Sequence, residues 1–226
     1  MAVPAPDPVE VRAASLDELR RLRLPVPPEN FPLVWERGDG VELRPVAELE
    51  ARAAILNIVL ACCFGMPHEL AMSWLLDSRL VDAVTPPEWR FVASGKGDRW
   101  SFALHLEALF ALAWLLGLVK DLDPLAPPDD GLVRLFPNLP EGESFAAWRS
   151  RTLSAPRAPH QAAAMLDRYY CLDWAFLTAE QHGVPVPGQL DSNAMGQRRW
   201  ALEWAVLFCG PYHEPPVGWE EVDLST

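Results

Sequence analysis

From Val46 onward, apolar residues return every three or four positions through most of the chain. That spacing predicts helices, because positions i, i+3, i+4 and i+7 share one helical face. VAELEARAAILNIVLACCF runs from Val46 to a stop at Gly65. Pro67 opens PHELAMSWLLDSRLV, and Thr85 with Glu88 forms a capping-box pair ahead of a third helix. RWSFALHLEALFALAWLLGLV, residues 99–119, is apolar nearly all round and predicts a central, buried helix. Residues 120–140 are rich in Pro and Asp and predict a long connection, with one short helical turn around Leu132 to Phe136. GESFAAWRSRTL predicts another helix. Pro159 to His182 predicts a long one ended by Gly183, with VPVPG as a rigid linker behind it. Asp191 or Ser192 starts the last long helix, which is expected to end near Gly210.

The N-terminal part reads differently. Residues 1–14 are Pro-rich and are expected to be a loose tail. Ser15 and Glu18 suggest a capping box that opens LDELRRLRL, a short helix stopped by Pro25. Residues 25–45 form an irregular arm in which PLVW and VELR are expected to pair as a small hairpin across GDG. The fold class is therefore all-α: one compact multi-helix domain over residues 15–226, with about seven helices.

Half of the 226 residues are hydrophobic and ten are Trp, so a sizeable core is available. The net charge of −12 argues against nucleic acid as a partner, since phosphate backbones need clustered Lys and Arg. It suits a protein partner with a basic surface. Arg20, Arg21 and Arg23 make only a short basic run, read as a solvated helix face. Cys62, Cys63, Cys171 and Cys209 lack C-x-x-C spacing and sit in apolar surroundings, which suggests free thiols and a cytoplasmic location. The N-terminus has no basic-then-apolar leader pattern, and the longest apolar run, Ala108 to Val119, is too short for a membrane span.

Candidate chemistry rests on acids placed beside tryptophans. RYYCLDWAFL (168–177) and RRWALEWAVLF (198–208) each set an acid directly before a Trp. At about 100° per residue, Asp173 falls at the edge of the Tyr170–Trp174–Leu177 stripe, and Glu203 at the edge of Trp200–Trp204–Leu207. Glu107 falls between Trp100 and Trp114 on the central helix. Buried carboxylates need partners. Tyr169 lies one turn before Asp173, Arg199 one turn before Glu203, and Arg52 on an apolar stripe of its own helix. Two readings follow. Arg52, Trp100, Glu107, Trp114, Tyr169, Asp173, Trp174, Arg199, Glu203 and Trp204 either build closed interior networks or line a pocket where a carboxylate could act as acid or base. No phosphate loop, dinucleotide fingerprint or nucleophile elbow occurs, and HELAM has Met72 where a zinc-protease helix needs its second His. Neither a cofactor nor a metal site is expected. The first reading of function is a non-enzymatic binding protein; the alternative is a small-molecule enzyme or ligand-binding protein that uses the Trp-lined pocket.

Several segments in order resemble one family. LDELRRLRLPVPPENFP, LRPVAELEARAAIL, WLLDSRLVDAVTPPEWRFV, LEALFALAWLLGLV, YYCLDWAF, QRRWALEWA and the ending WEEVDLST are similar to the bacterial domain-of-unknown-function family 4272, over residues 15–226. The chain departs from that pattern at Gln197, where the family has Glu before Arg, and at Glu203, where it has a neutral polar residue. The resemblance implies one helical domain in a bacterial, intracellular setting and brings no activity with it.

Overall fold

The computed structural model describes residues 1–225; Thr226, the last residue of the expected domain, lies outside the described residues. Among the described residues, eight α-helices and a small antiparallel sheet make up the fold. In chain order they are β1 (Val3–Pro4), α1 (Pro8–Leu22), β2 (Gly40–Leu43), α2 (Val46–Cys63), α3 (His68–Asp77), α4 (Pro86–Ser94), α5 (Arg99–Leu115), α6 (Phe145–Thr152), α7 (Pro159–Gln181), α8 (Ser192–Ala205) and β3 (Val206–Cys209). They fall into two compact units. The first takes residues 1–44, 121–127 and 157–226; the second takes residues 45–120 and 128–156.

In the first unit, the N-terminal segment is ordered rather than loose. Asp7 caps α1 by accepting from the backbone N–H groups of Val9 (2.9 Å) and Glu10 (3.4 Å), and Pro8 fits the first turn because its missing N–H is not needed there. Ser15 is thus mid-helix, not a cap. The helix ends at Arg23, whose left-handed backbone (φ 60°) lets its N–H close on the last carbonyls. The expected hairpin is replaced by a three-stranded sheet in the order β1-β2-β3. VEL does enter a strand, but its partners come from the chain ends: Val3 faces Val41, and Val41 faces Phe208. PLVW stays irregular. Its Trp35 is buried, stacks on Phe208 with ring centroids 4.9 Å apart, and donates its indole N–H to the Pro6 carbonyl at 2.8 Å. The last helix stops at Ala205, short of Gly210, because Val206–Cys209 extends and pairs with β2. Val and Phe suit a half-buried pleated strand better than a helix end.

In the second unit, α2 and α5 lie against each other and carry most of the core. Leu49, Ile55, Leu56, Ile58 and Val59 of α2 are fully sequestered, as are Leu109, Leu112 and Leu115 of α5. Burying each such side chain contributes about 1.5–3 kcal/mol. The Thr85–Glu88 capping box forms as the sequence suggests, with both reciprocal bonds present. The short turn near Leu132 is a 3-10 helix over Leu132–Leu135. Its carbonyl at Leu135 accepts the indole N–H of the buried Trp148 at 2.8 Å, which fixes α6. Among the described residues no helix is long and apolar enough to cross a membrane.

Candidate functional site

In the first unit, α7 and α8 pack side by side and bring Asp173, Arg199 and Glu203 together. Arg199 is only 1 % exposed. Its Nη1 donates to Asp173 Oδ2 at 2.8 Å and to the Leu224 carbonyl at 3.1 Å; its Nε donates to Glu203 Oε1 at 3.2 Å. The guanidinium also lies 4.5 Å from the centroid of the Tyr170 ring. One cation therefore serves two acids. Burial pushes the carboxyl of Asp173 up from the ordinary range, and the bond from Arg199 only partly offsets it. Burial likewise raises Glu203, with the Asp173 charge adding to the rise and Arg199 opposing it. Asp173 is 4 % exposed, whereas the Glu203 side chain retains 22 % of its surface.

A second cluster flanks the first. Asp167 is buried and accepts from Arg12 Nη2 (2.7 Å) and Nε (2.9 Å) on one oxygen and from Ser15 Oγ (2.6 Å) on the other. Arg12 also lies 5.5 Å from the Tyr170 ring, so that ring carries a guanidinium from each cluster. Such cation–π contacts contribute about 0.5–2 kcal/mol each. Sequence reasoning missed Arg12 because it falls in the supposed tail. Asp167 could have been found: it precedes Tyr170 and Trp174 by three and seven residues, on the same stripe.

A third cluster holds the 121–127 segment. Arg198, fully buried, donates to the Asp123 carbonyl through Nη1 and to the Ala126 carbonyl at 2.9 Å through Nη2. It also donates at 3.0 Å to the Tyr169 hydroxyl, which donates in turn to the Leu122 carbonyl at 3.2 Å. Tyr169 therefore serves this segment, not Asp173 as its spacing suggests. Trp174 is half-buried, its ring 5.9 Å from Phe31. Trp204 is buried, with Arg44 4.8 Å from its centroid and Trp219 edge-on at 5.4 Å.

The other candidates lie in the second unit. Arg52 is buried and pairs with buried Glu88, whose second oxygen accepts the Thr85 N–H at 3.0 Å. The capping box is thereby also an ion-pair anchor. Glu107 is half-buried. Trp114 is buried, but Trp100 is 81 % exposed, so Glu107 is not enclosed by two indoles as the helical wheel suggests. Trp100 sits in the first turn of α5, right after the Asp98 cap, where no other element covers it. None of these four residues lines the large groove of about 1020 Å³ in this unit, whose walls come from Leu60, Phe64, Leu106, Val133 and Leu139. Among the described residues, no group of three or more His, Cys, Asp and Glu side chains is placed to hold a metal ion.

A family model described as "Domain of unknown function (DUF4272)" matches residues 12–222. No curated protein and no solved structure matches the chain.

Proposed function

The chain belongs to the DUF4272 family, and from that premise we propose that it is a non-enzymatic, cytoplasmic binding protein whose partner is a protein with a basic surface. The observation that carries this reading is the use made of the candidate acids. Asp173 and Glu203 both engage Arg199, and Asp167 engages Arg12 and Ser15. A carboxylate held this way positions helices, and of these three only Glu203 keeps part of its side chain in solvent. The charge that is left over lies outside. Of the 31 acids, 19 fall in the first unit, against 10 of the 19 bases. Three bases there, Arg12, Arg198 and Arg199, and three acids, Asp39, Asp167 and Asp173, are buried, so the surface of this unit keeps the full excess of nine acids. Such a field steers a basic partner and disfavours nucleic acid. The free state of all four cysteines supports the cytoplasmic location.

The alternative, a small-molecule enzyme built on Glu107, Asp173 and Glu203, loses support from the pairing of two of its three acids with one arginine. The reading is tested by capture from lysate at 50 mM and 500 mM salt, using the full chain and a Glu29→Gln, Glu36→Gln, Glu214→Gln, Glu220→Gln variant. All four acids are exposed. The expected result is a basic protein retained at low salt, released at high salt and lost from the variant. Retention indifferent to salt and to the four substitutions overturns the proposal.

A further inference from the structure

The groove of the second unit carries an inference independent of the acidic face. Two of its lining groups have unmet hydrogen-bonding capacity. Asn57 is 5 % exposed; its Nδ2 donates to the Pro137 carbonyl at 3.1 Å, while its Oδ1 has no partner among the described residues. That oxygen is not among the enclosed polar atoms that lack a partner, so it is reached from the groove, where a ligand N–H can take the place of water. Arg134 lines the same groove, is exposed, and its guanidinium has no ion pair or hydrogen bond among the described residues. The other charges are Arg151 and Glu143, which neutralise each other through bonds of 2.6 and 2.9 Å, and Glu141, which is exposed. Glu141 adds a negative charge to the rim, which favours a ligand with one negative charge over one with two. Phe64 and Val133 are large apolar side chains left exposed at this groove. Its volume, about 1020 Å³, is at the upper end of small-molecule sites.

We propose that this groove binds an N-acyl amino acid: an acyl chain on the apolar wall, an amide N–H donating to Asn57 Oδ1, and a single carboxylate on Arg134. An apolar chain alone would leave both polar groups unmet, and a phosphate would meet Glu141. Burial of each methylene makes affinity rise about fourfold per carbon until the groove is filled.

The test is calorimetric titration of the full chain with N-octanoylglycine, N-decanoylglycine and N-decanoylglycinamide, all below their micellar concentrations. The expected result is one site per chain, with the decanoyl compound tighter than the octanoyl one. Arg134→Gln should weaken N-decanoylglycine about tenfold, as the loss of a charge-assisted bond implies, and leave the uncharged glycinamide unchanged. Ala61→Trp, which fills the groove, should abolish binding of both; an unchanged circular dichroism spectrum and melting temperature would confirm that each variant is folded. Absence of saturable binding to the unsubstituted chain overturns the proposal, as does binding that Arg134→Gln leaves unaltered. A short apolar peptide with a free C-terminus that binds in an Arg134-dependent way while the acylglycines do not also overturns it, by assigning the groove to chain termini.

Discussion

Replacing Arg199 by Met removes one cation from between two carboxylates and keeps most of the side-chain volume. Arg199 is buried, so the change leaves Asp173 in the interior without its charged partner. Breaking a buried pair from one side costs about 3–5 kcal/mol. Glu203 is partly solvated, so its loss of the same partner adds little. For a chain of this size, roughly 2–4 °C of melting temperature is lost per kcal/mol, which gives a fall of about 6–20 °C. The pH dependence makes the prediction specific. Asp173 and Glu203 both have raised carboxyl pKa values in the folded protein, so their contribution to stability is full below the unfolded value and is lost as pH rises through the folded one. Without Arg199 both values climb further. The penalty of the substitution is therefore greatest at neutral pH and shrinks in acid, as the stranded carboxyls take up protons. Asp39 and Glu143, whose pKa values are lowered, lose stability as pH falls, but they do so in both proteins and cancel from the difference. Urea unfolding at pH 7.5 and 4.5 measures the effect. A loss under about 1 kcal/mol at pH 7.5, or a loss as large at pH 4.5, would refute the account of one arginine holding two acids. A companion Glu203→Gln should be neutral or slightly stabilising, since it relieves the surplus negative charge while Asp173 keeps its partner.

Two further outcomes follow from packing. Gly117 has φ +75°, and a Cβ placed there would sit 2.3 Å from the Ala155 carbonyl oxygen; Gly117→Ala should cost upwards of about 2 kcal/mol in urea unfolding, and a loss within 0.5 kcal/mol would contradict the close approach. Burial pushes the thiol of Cys171 up to about 12 and that of Cys62 up to about 11, whereas Cys209 is exposed; a thiol reagent at pH 8 should label Cys209 first under native conditions, and rapid labelling of Cys171 would contradict its burial.

Helix positions were legible in the sequence because periodicity, caps and stops act locally. The Thr85–Glu88 box, the start of α8 at Asp191 and the turn at Leu132 all fall where residue chemistry puts them. What was not legible depends on distant partners. VEL reads as half a hairpin, and nothing nearby shows that its neighbours are Val3 and the 206–209 segment. VLFC continues a helical pattern in sequence, yet an open strand edge draws it into the sheet. The division into two units was hidden because residues 121–127 look like any Pro- and Asp-rich loop; the carbonyls that Arg198 binds there carry no side-chain signature. For the site, helical geometry identified Asp173, Arg199 and Glu203 as neighbours of an aromatic stripe. It could not tell that Tyr169 turns to Leu122, or that Trp100 faces solvent.

The three-segment make-up of the first unit sets an order of events during synthesis. Residues 45–156 contain every part of the second unit, which can therefore close before the ribosome has made α7. The first unit must wait. Arg12 has no Asp167 until 155 more residues have appeared, and β2 has no β3 until Val206–Cys209 has been made. Over that interval α1 and an unpaired strand edge stand without their partners, while the segments of the second unit, made later than α1, are already all present.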